Sequence, residues 1–309
     1  MADTAMSATA LAGRAMAQDG LARGRRRSSW LLLSPAVILL VVWAFVPLAM
    51  TLVYSFRHYN LLYPGRRGFV GLLNYRLLVT DPTFWTAIIN TLVLVLSVLA
   101  ITLVLGTVFA LLLNQNFRGR GVARLMVIAP FFVLPPVAAL IWKNLLFDPL
   151  NGLIGWLCTL VGLHPVAWLT VFPMIALVII VAWEWTPFAT LILLTALQSL
   201  DTDQLEAARM DGAKPVSRII YIVLPHLARP MAITVMMESI FLLSIFAEIL
   251  TTTAGGPGDA TTTLTYLIYI RALVDFDVGG ASAAGVLAIV LANIVAIFLM
   301  RAVARNIEG

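Results

Sequence analysis

The sequence predicts an all-α polytopic membrane protein of six transmembrane helices. Both termini lie in the cytoplasm, and so does a short helix between spans four and five. Three observations carry this reading. Of the 309 residues, 61% are apolar and only 11% charged, where soluble domains run near ~25% charged. The apolar residues fall into runs long enough to cross a bilayer, for which a helix needs about 20. The basic residues gather in alternate connections between those runs.

The spans follow in order. Trp30 to Phe56 carries no charge, and Phe84 to Phe117 carries none. A third run lies between Leu125 and Trp142. The fourth, Val171 to Leu200, contains Glu184 alone. The fifth, Ile219 to Ala247, contains His226, Arg229 and Glu238, and the sixth, Val278 to Met300, is charge-free. Arginines precede the first run, as they do in a secretory signal, but its apolar stretch far exceeds the roughly 7–15 residues of a signal core, so it reads as a retained helix. Residues 1–29 are rich in Ala, Gly, Ser and Arg without apolar period and read as a disordered basic cytoplasmic tail ahead of the membrane domain, 30–309. A single cysteine, Cys158, excludes an internal disulfide.

Charge sets the orientation. Arg14, Arg23, Arg25, Arg26 and Arg27 precede span one. Arg118, Arg120 and Arg124 follow span two, Arg209, Lys214 and Arg218 follow span four, and Arg301 and Arg305 end the chain. The other side has Arg57, Arg66, Arg67, Arg76 and Arg271, with no basic residue over 148–169. Cytoplasmic connections carry the basic excess, which puts both termini inside. The same distribution explains the net charge of +5 without nucleic acid.

The connection after span four is the most specific stretch. Asp201, Thr202 and Asp203 are helix N-cap residues, and Asp203 stands at capping-box spacing from Glu206. Glu206 and Arg209 share a helix face, Ala207 and Ala208 make it smooth, and Gly212 ends it. Taken alone, the segment is either a capped turn joining two spans or a docking surface. Its spacing runs Glu206-Ala207-Ala208, three residues, Gly212, nine residues, then Ile222-x-Leu224-Pro225. This resembles the cytoplasmic signature of the permeases of binding-protein-dependent ABC importers.

The likeness extends along the chain. Phe69 to Arg76, Asp81 to Trp85 and Asn90-Thr91-Leu92 are similar to the opening of sugar-type permeases, with a core of about 85–302. Leu134-Pro135-Pro136, Trp142 to Gly152, Gly255 to Gly258 and Tyr266 to Tyr269 resemble their later segments. Sorbitol/mannitol permeases are the most similar, above all over Trp183–Leu200 and Phe246–Leu273. The resemblance implies an inner-membrane translocation subunit, with 201–225 as the coupling segment. The implied partners are a dimer of ATP-binding subunits, a second and different permease chain, and a soluble solute-binding protein outside. ATP would be bound by the ATPase partners, with no cofactor or metal in this chain. Glu206 would pair with a basic ATPase residue while Ala207 and Ala208 fill its cleft. No Gly-x4-Gly-Lys-Ser/Thr phosphate loop occurs, in keeping with a transport subunit rather than an enzyme.

Ionisable groups inside a span are functional candidates because their insertion is costly. Glu184 is the first, with Pro187 freeing the Trp183 carbonyl beside it and implying a local kink. Trp183 and Trp185 offer rings to a polyhydroxylated solute, but on different sides of the helix. The competing role for Glu184 is a brace to Lys143, Arg229 or a backbone donor. Glu238 and Asn293 are further candidates for the solute path. Glu248 and Asp259 read as solvated residues near the outer face, and Arg229 as a snorkelling boundary residue. An ion-coupled secondary transporter is the other reading open here; it would lack need of the 206–225 pattern and would usually show internal repeats.

Overall fold

The computed structural model describes residues 34–63, 65 and 68–305. The tail over 1–29, with its five arginines, lies outside the described residues, as do Arg66 and Arg67. The chain divides into two units, Met1–Val53 and Tyr54–Gly309. The first contributes most of helix α1, Ser34–Ser55, 22 residues of mean hydropathy 2.6.

The second unit opens with a two-stranded antiparallel ribbon, β1 (Arg57–His58) and β2 (Gly68–Phe69). The Asn74 side-chain amide ties its base by donating to the carbonyls of Ser55 and Arg57, both at 2.9 Å. Asn74 belongs to α2 (Leu73–Thr80). Next comes α3 (Pro82–Asn114), capped by Asp81, whose carboxylate accepts from the Thr83 N–H, with proline at the first helical turn.

The run expected as a straight third span is broken. Helix α4 (Arg120–Ile128) passes through a 3₁₀ turn at Ala129–Phe132, and α5 (Pro135–Leu140) continues as a π-turn over Ile141–Leu146. The two halves meet at 102°. The cause is local. A residue before proline is driven out of the helical region, and Leu134 before Pro135 sits at φ −63°, ψ 135°. Among the described residues, five helices are therefore long and apolar enough to span a membrane, or six if the bent pair counts as one.

Short helices α6 (Leu153–Leu160) and α7 (Trp168–Val171) lead into α8 (Pro173–Gln198). Helix α8 is the axis of the unit and pairs with α3. At Gly106 the two backbones come so near that a Cβ would stand 2.7 Å from the Ala189 Cβ, the small-residue contact by which membrane helices gain van der Waals packing. Pro187 does not interrupt the helix; the hydroxyls of Thr186 and Thr190 donate back to the carbonyls of Ala182 and Thr186.

After α9 (Thr202–Met210), one continuous stretch runs Pro215–Leu242. It comprises α10 (Pro215–Arg218), a π-turn at Ile219–Val223 and α11 (Leu224–Leu242). This span begins slightly earlier than the sequence suggested. The π-turn has a reason: Pro225 brings no N–H, and the Leu224 N–H bonds back to Ile219, widening the turn just before the ring. Helices α12 (Ala247–Thr252), α13 (Leu264–Tyr269, extended by a π-turn to Val274) and α14 (Val278–Arg305) complete the chain.

Two of the apolar clusters follow one another along α3 and α8. One joins Val95 and Leu99 of α3, Leu177 and Val181 of α8, Leu242 of α11 and Ile249 of α12. The other joins Leu113, Leu197, Val223 and Leu227, and packs Ala123, Leu205 and Ile222 against them. The connections rich in arginine after α3 and α8 thus share one end of the unit, as the positive-inside pattern requires of loops on one side.

Candidate functional site: an exposed capped helix and a buried carboxyl cavity

Helix α9 is short but closed at both ends. Its N-cap is Asp201, whose carboxylate accepts from the Asp203 N–H at 3.0 Å. Asp201 is the first of the three N-cap residues the sequence offers; with the cap there, two residues before Asp203, Asp203 is already inside the helix and does not lead a capping box with Glu206. The C-terminus is a Schellman motif. Gly212 N–H bonds to the Arg209 carbonyl at 3.0 Å and Ala213 N–H to Ala208 at 2.9 Å. Gly212 sits at φ +77°, where a Cβ is strained even though the space around it is open. Glu206 and Arg209 form no ion pair in this structure.

The helix is rooted by one side only. Leu205 packs on the Leu197–Leu227 cluster, with Ile222 beside it, while Glu206, Ala207, Arg209 and Met210 face outward. Met210 is 88% exposed. Leu224 and Pro225 are exposed too, at the neighbouring turn. His226 locks that turn to α8. Its Nε2 lies 3.0 Å from the Ala196 carbonyl, which only accepts, so this nitrogen carries the proton. The residues of the 206–225 pattern therefore split between anchors and a free polar-and-alanine surface.

The five intramembrane candidates do not converge. Trp183 turns toward Trp142, ring centres 5.8 Å apart, and lines an apolar cavity of about 470 Å³ with Pro187 and Phe109. Trp185 turns the other way and stacks on Phe241 at 5.3 Å, with Phe131 and Phe188 near its edges. Glu238 is fully buried and accepts a 2.6 Å hydrogen bond from Thr102, fastening α11 to α3. Asn293 donates to the Ile289 carbonyl of its own helix and is exposed.

Glu184 has the least ordinary surroundings. It is 6% exposed, yet neither carboxyl oxygen has a donor. The braces open to it from the sequence are absent. Lys143 gives its ammonium to the carbonyls of Thr251 and Thr252, at 3.0 Å each. The ionisable group that meets Glu184 is instead another acid, Glu248, within hydrogen-bond reach of its carboxyl. Glu248 is 3% exposed at the start of α12, which corrects its reading as a solvated loop residue. Phe131, Trp185, Phe246 and Ser244 join both carboxyls around a cavity of about 340 Å³. Glu248 is the site residue missed in the sequence. The signal was weak: a charge only two residues past Phe246, in a segment that folds back against α5 and α8 rather than out into solvent. Asp259 stays on the outside, accepting from Thr83 at 3.3 Å.

Known proteins place this geometry in context. The chain is 38% identical over 256 residues to a probable ABC transporter permease protein, y4oQ, of Sinorhizobium fredii, covering 82% of each chain. It is 33% identical over 255 residues to the trehalose/maltose transport system permease protein MalF of Thermococcus litoralis, covering 82% of this chain and 86% of that one. Among solved structures, a chain of a bacterial alginate ABC transporter, crystallised with its alginate pentasaccharide-bound periplasmic protein, superposes with a TM-score of 0.78. That match covers 92% of this chain and 96% of the other, at 22% identity. Residues 102–309 match the model of the binding-protein-dependent transport system inner membrane components. With that match over most of its length, and relatives above 30% identity over most of theirs, this multi-pass membrane protein belongs to the family of binding-protein-dependent transport system inner membrane components.

Proposed function

We propose that this chain is the translocation subunit of an ATP-driven, binding-protein-dependent importer for a sugar or a polyol such as sorbitol or mannitol. The observation that carries the motor half is α9: a helix capped at both ends, rooted through Leu205, presenting Glu206 and Ala207 where a partner's cleft can close on them. In this reading both termini and α9 face the cytoplasm. ATP is bound by a pair of partner ATPase subunits, and a second permease chain completes the path. A solute-binding protein docks on the opposite face. Closure of the ATPases moves α9, and α9 moves α8 and α11 through the shared apolar cluster.

Of the candidate solute-path residues, Glu184 and Trp185 are the ones that line a common cavity. Trp183 faces a separate apolar space, Glu238 fastens two helices through Thr102, and Asn293 serves its own helix. Names of relatives support a sugar: one is a trehalose/maltose permease and another, from Rhizobium radiobacter, a lactose permease.

Proteoliposomes supply the test. The chain is reconstituted with its co-purifying permease and ATPase, and uptake of labelled sorbitol, mannitol, trehalose and maltose is measured. Uptake should require ATP and the solute-binding protein. Uptake by this chain alone, driven by a sodium or proton gradient without ATPase, would replace the importer by an ion-coupled secondary transporter.

A further inference from the structure

We propose that the cavity between the Phe131–Pro135 turn, α8 and α12 is a carboxyl-walled subsite for an uncharged polyhydroxylated unit, and that the lack of any cation in its wall excludes anionic sugars. This selectivity rests on the importer reading, because it takes the cavity to lie on the solute's route.

The geometry has four parts. First, a buried carboxyl without a donor is an unmet demand, since buried polar groups are normally hydrogen-bonded. Both oxygens of Glu184 are in that state. Second, the neighbouring group is Glu248, another acid and not a cation; the one hydrogen bond that two carboxyls can share leaves their other oxygens free to accept. Adjacent hydroxyls on one sugar or polyol supply what is missing, donating to the carboxyls in a paired way. Third, the remaining wall is aromatic: Phe131, Trp185 and Phe246 offer flat surfaces to the C–H face of the same molecule. Fourth, the volume of about 340 Å³ stands at the small end of the ~300–1,000 Å³ range of ligand pockets. That suits a single hexose or a linear polyol.

The exclusion follows from what the wall lacks. No Lys or Arg lines this cavity. Lys143 is committed to two carbonyls of α12 and borders a different cavity. A solute carboxylate or phosphate entering here would lose its water and meet two acids with no cation to offset them. A desolvated anion left without a cation is costly, and an unpaired buried charge of this kind is how a site rejects a wrong solute.

Cells expressing the complete transporter are given labelled sorbitol, mannitol, trehalose and maltose, and, in parallel, glucuronate and glucose 6-phosphate. At least one neutral probe should accumulate and neither anion should exceed background. Glu184→Gln and Glu248→Gln should each lower neutral uptake at least tenfold, mainly through KM, while the ATPase still co-purifies and its hydrolysis still responds to the loaded binding protein. Glu184→Asp should recover part of the uptake, which a merely structural role would not predict. It also keeps the test open should Glu184→Gln fail to assemble. Uptake of an anionic probe at the neutral rate, no uptake of any neutral probe, or unchanged uptake in both Gln variants would overturn the subsite. Uptake that is independent of ATP but still lost in Glu184→Gln supports the subsite and sinks the importer instead.

Discussion

Helix α9 and the Glu184 cavity make opposite demands on the chain. Everything that shapes α9 lies within the thirteen residues from Asp201 to Ala213: a carboxylate cap, an alanine face and a glycine at positive φ. It is polar, exposed and closed by its own hydrogen bonds. The cavity is assembled from Phe131, Glu184 and Glu248, which are far apart in the chain, and its key carboxyl is buried without a donor. Surfaces that meet a partner protein are complete before the partner arrives, whereas a site that meets a small polar solute leaves hydrogen bonds unmade. Exposed backbone can turn to its own caps or to water, while a buried group with unmet capacity is tolerated where a ligand completes it.

That contrast yields predictions of decreasing size. Ala207→Trp should abolish ATP-driven uptake and ATPase co-purification, because an indole on the exposed face blocks a partner's approach. The free chain should fold normally, since surface changes away from special features shift stability by only about ±0.5 kcal/mol. Retained co-purification of the ATPase with this variant would break the docking assignment. A smaller effect is expected at Thr102→Val, which removes the donor to buried Glu238. An unsatisfied buried acceptor of that kind costs about 1–3 kcal/mol. Thermal unfolding in detergent should shift downward while the preference among neutral solutes stays unchanged; an altered preference would return Glu238 to the solute path. The smallest effects belong to the ends of α9. Gly212→Ala, at φ +77°, should cost about 1–2 kcal/mol of local strain, and Asp201→Ala about 0.5–2 kcal/mol of capping. Each should lower the ATPase stoichiometry in the purified complex without changing KM for the solute. Equal loss in KM would mean that the two regions are not separable.

How much was legible varies with the range of the forces involved. The spans stood out because a run of apolar residues is itself the physical requirement for crossing lipid. The end of α9 at Gly212 stood out because positive φ selects glycine. Its start was legible as one of Asp201, Thr202 and Asp203, and chain geometry chose the first. The third span misled because the apolar count ignores backbone: Pro135 keeps Leu134 extended, and the run bends by 102°. Pro187 lies inside α8, which continues through it.

The acids show the limit most plainly. Glu184, Glu238 and Glu248 look alike as letters in an apolar chain. Packing separated them: Thr102 reaches Glu238, no donor reaches Glu184, and Lys143 is spent on α12 carbonyls. By itself the sequence determined a helical membrane protein and the pattern at 206–225, because hydrophobicity, capping and backbone conformation act over a few residues. Only the tertiary structure decided that Trp183 and Trp185 serve different cavities and that Glu248 stands against Glu184. Those depend on which helices lie side by side, and hydrogen bonds and charge contacts act over a few ångströms of space, whatever the distance along the chain.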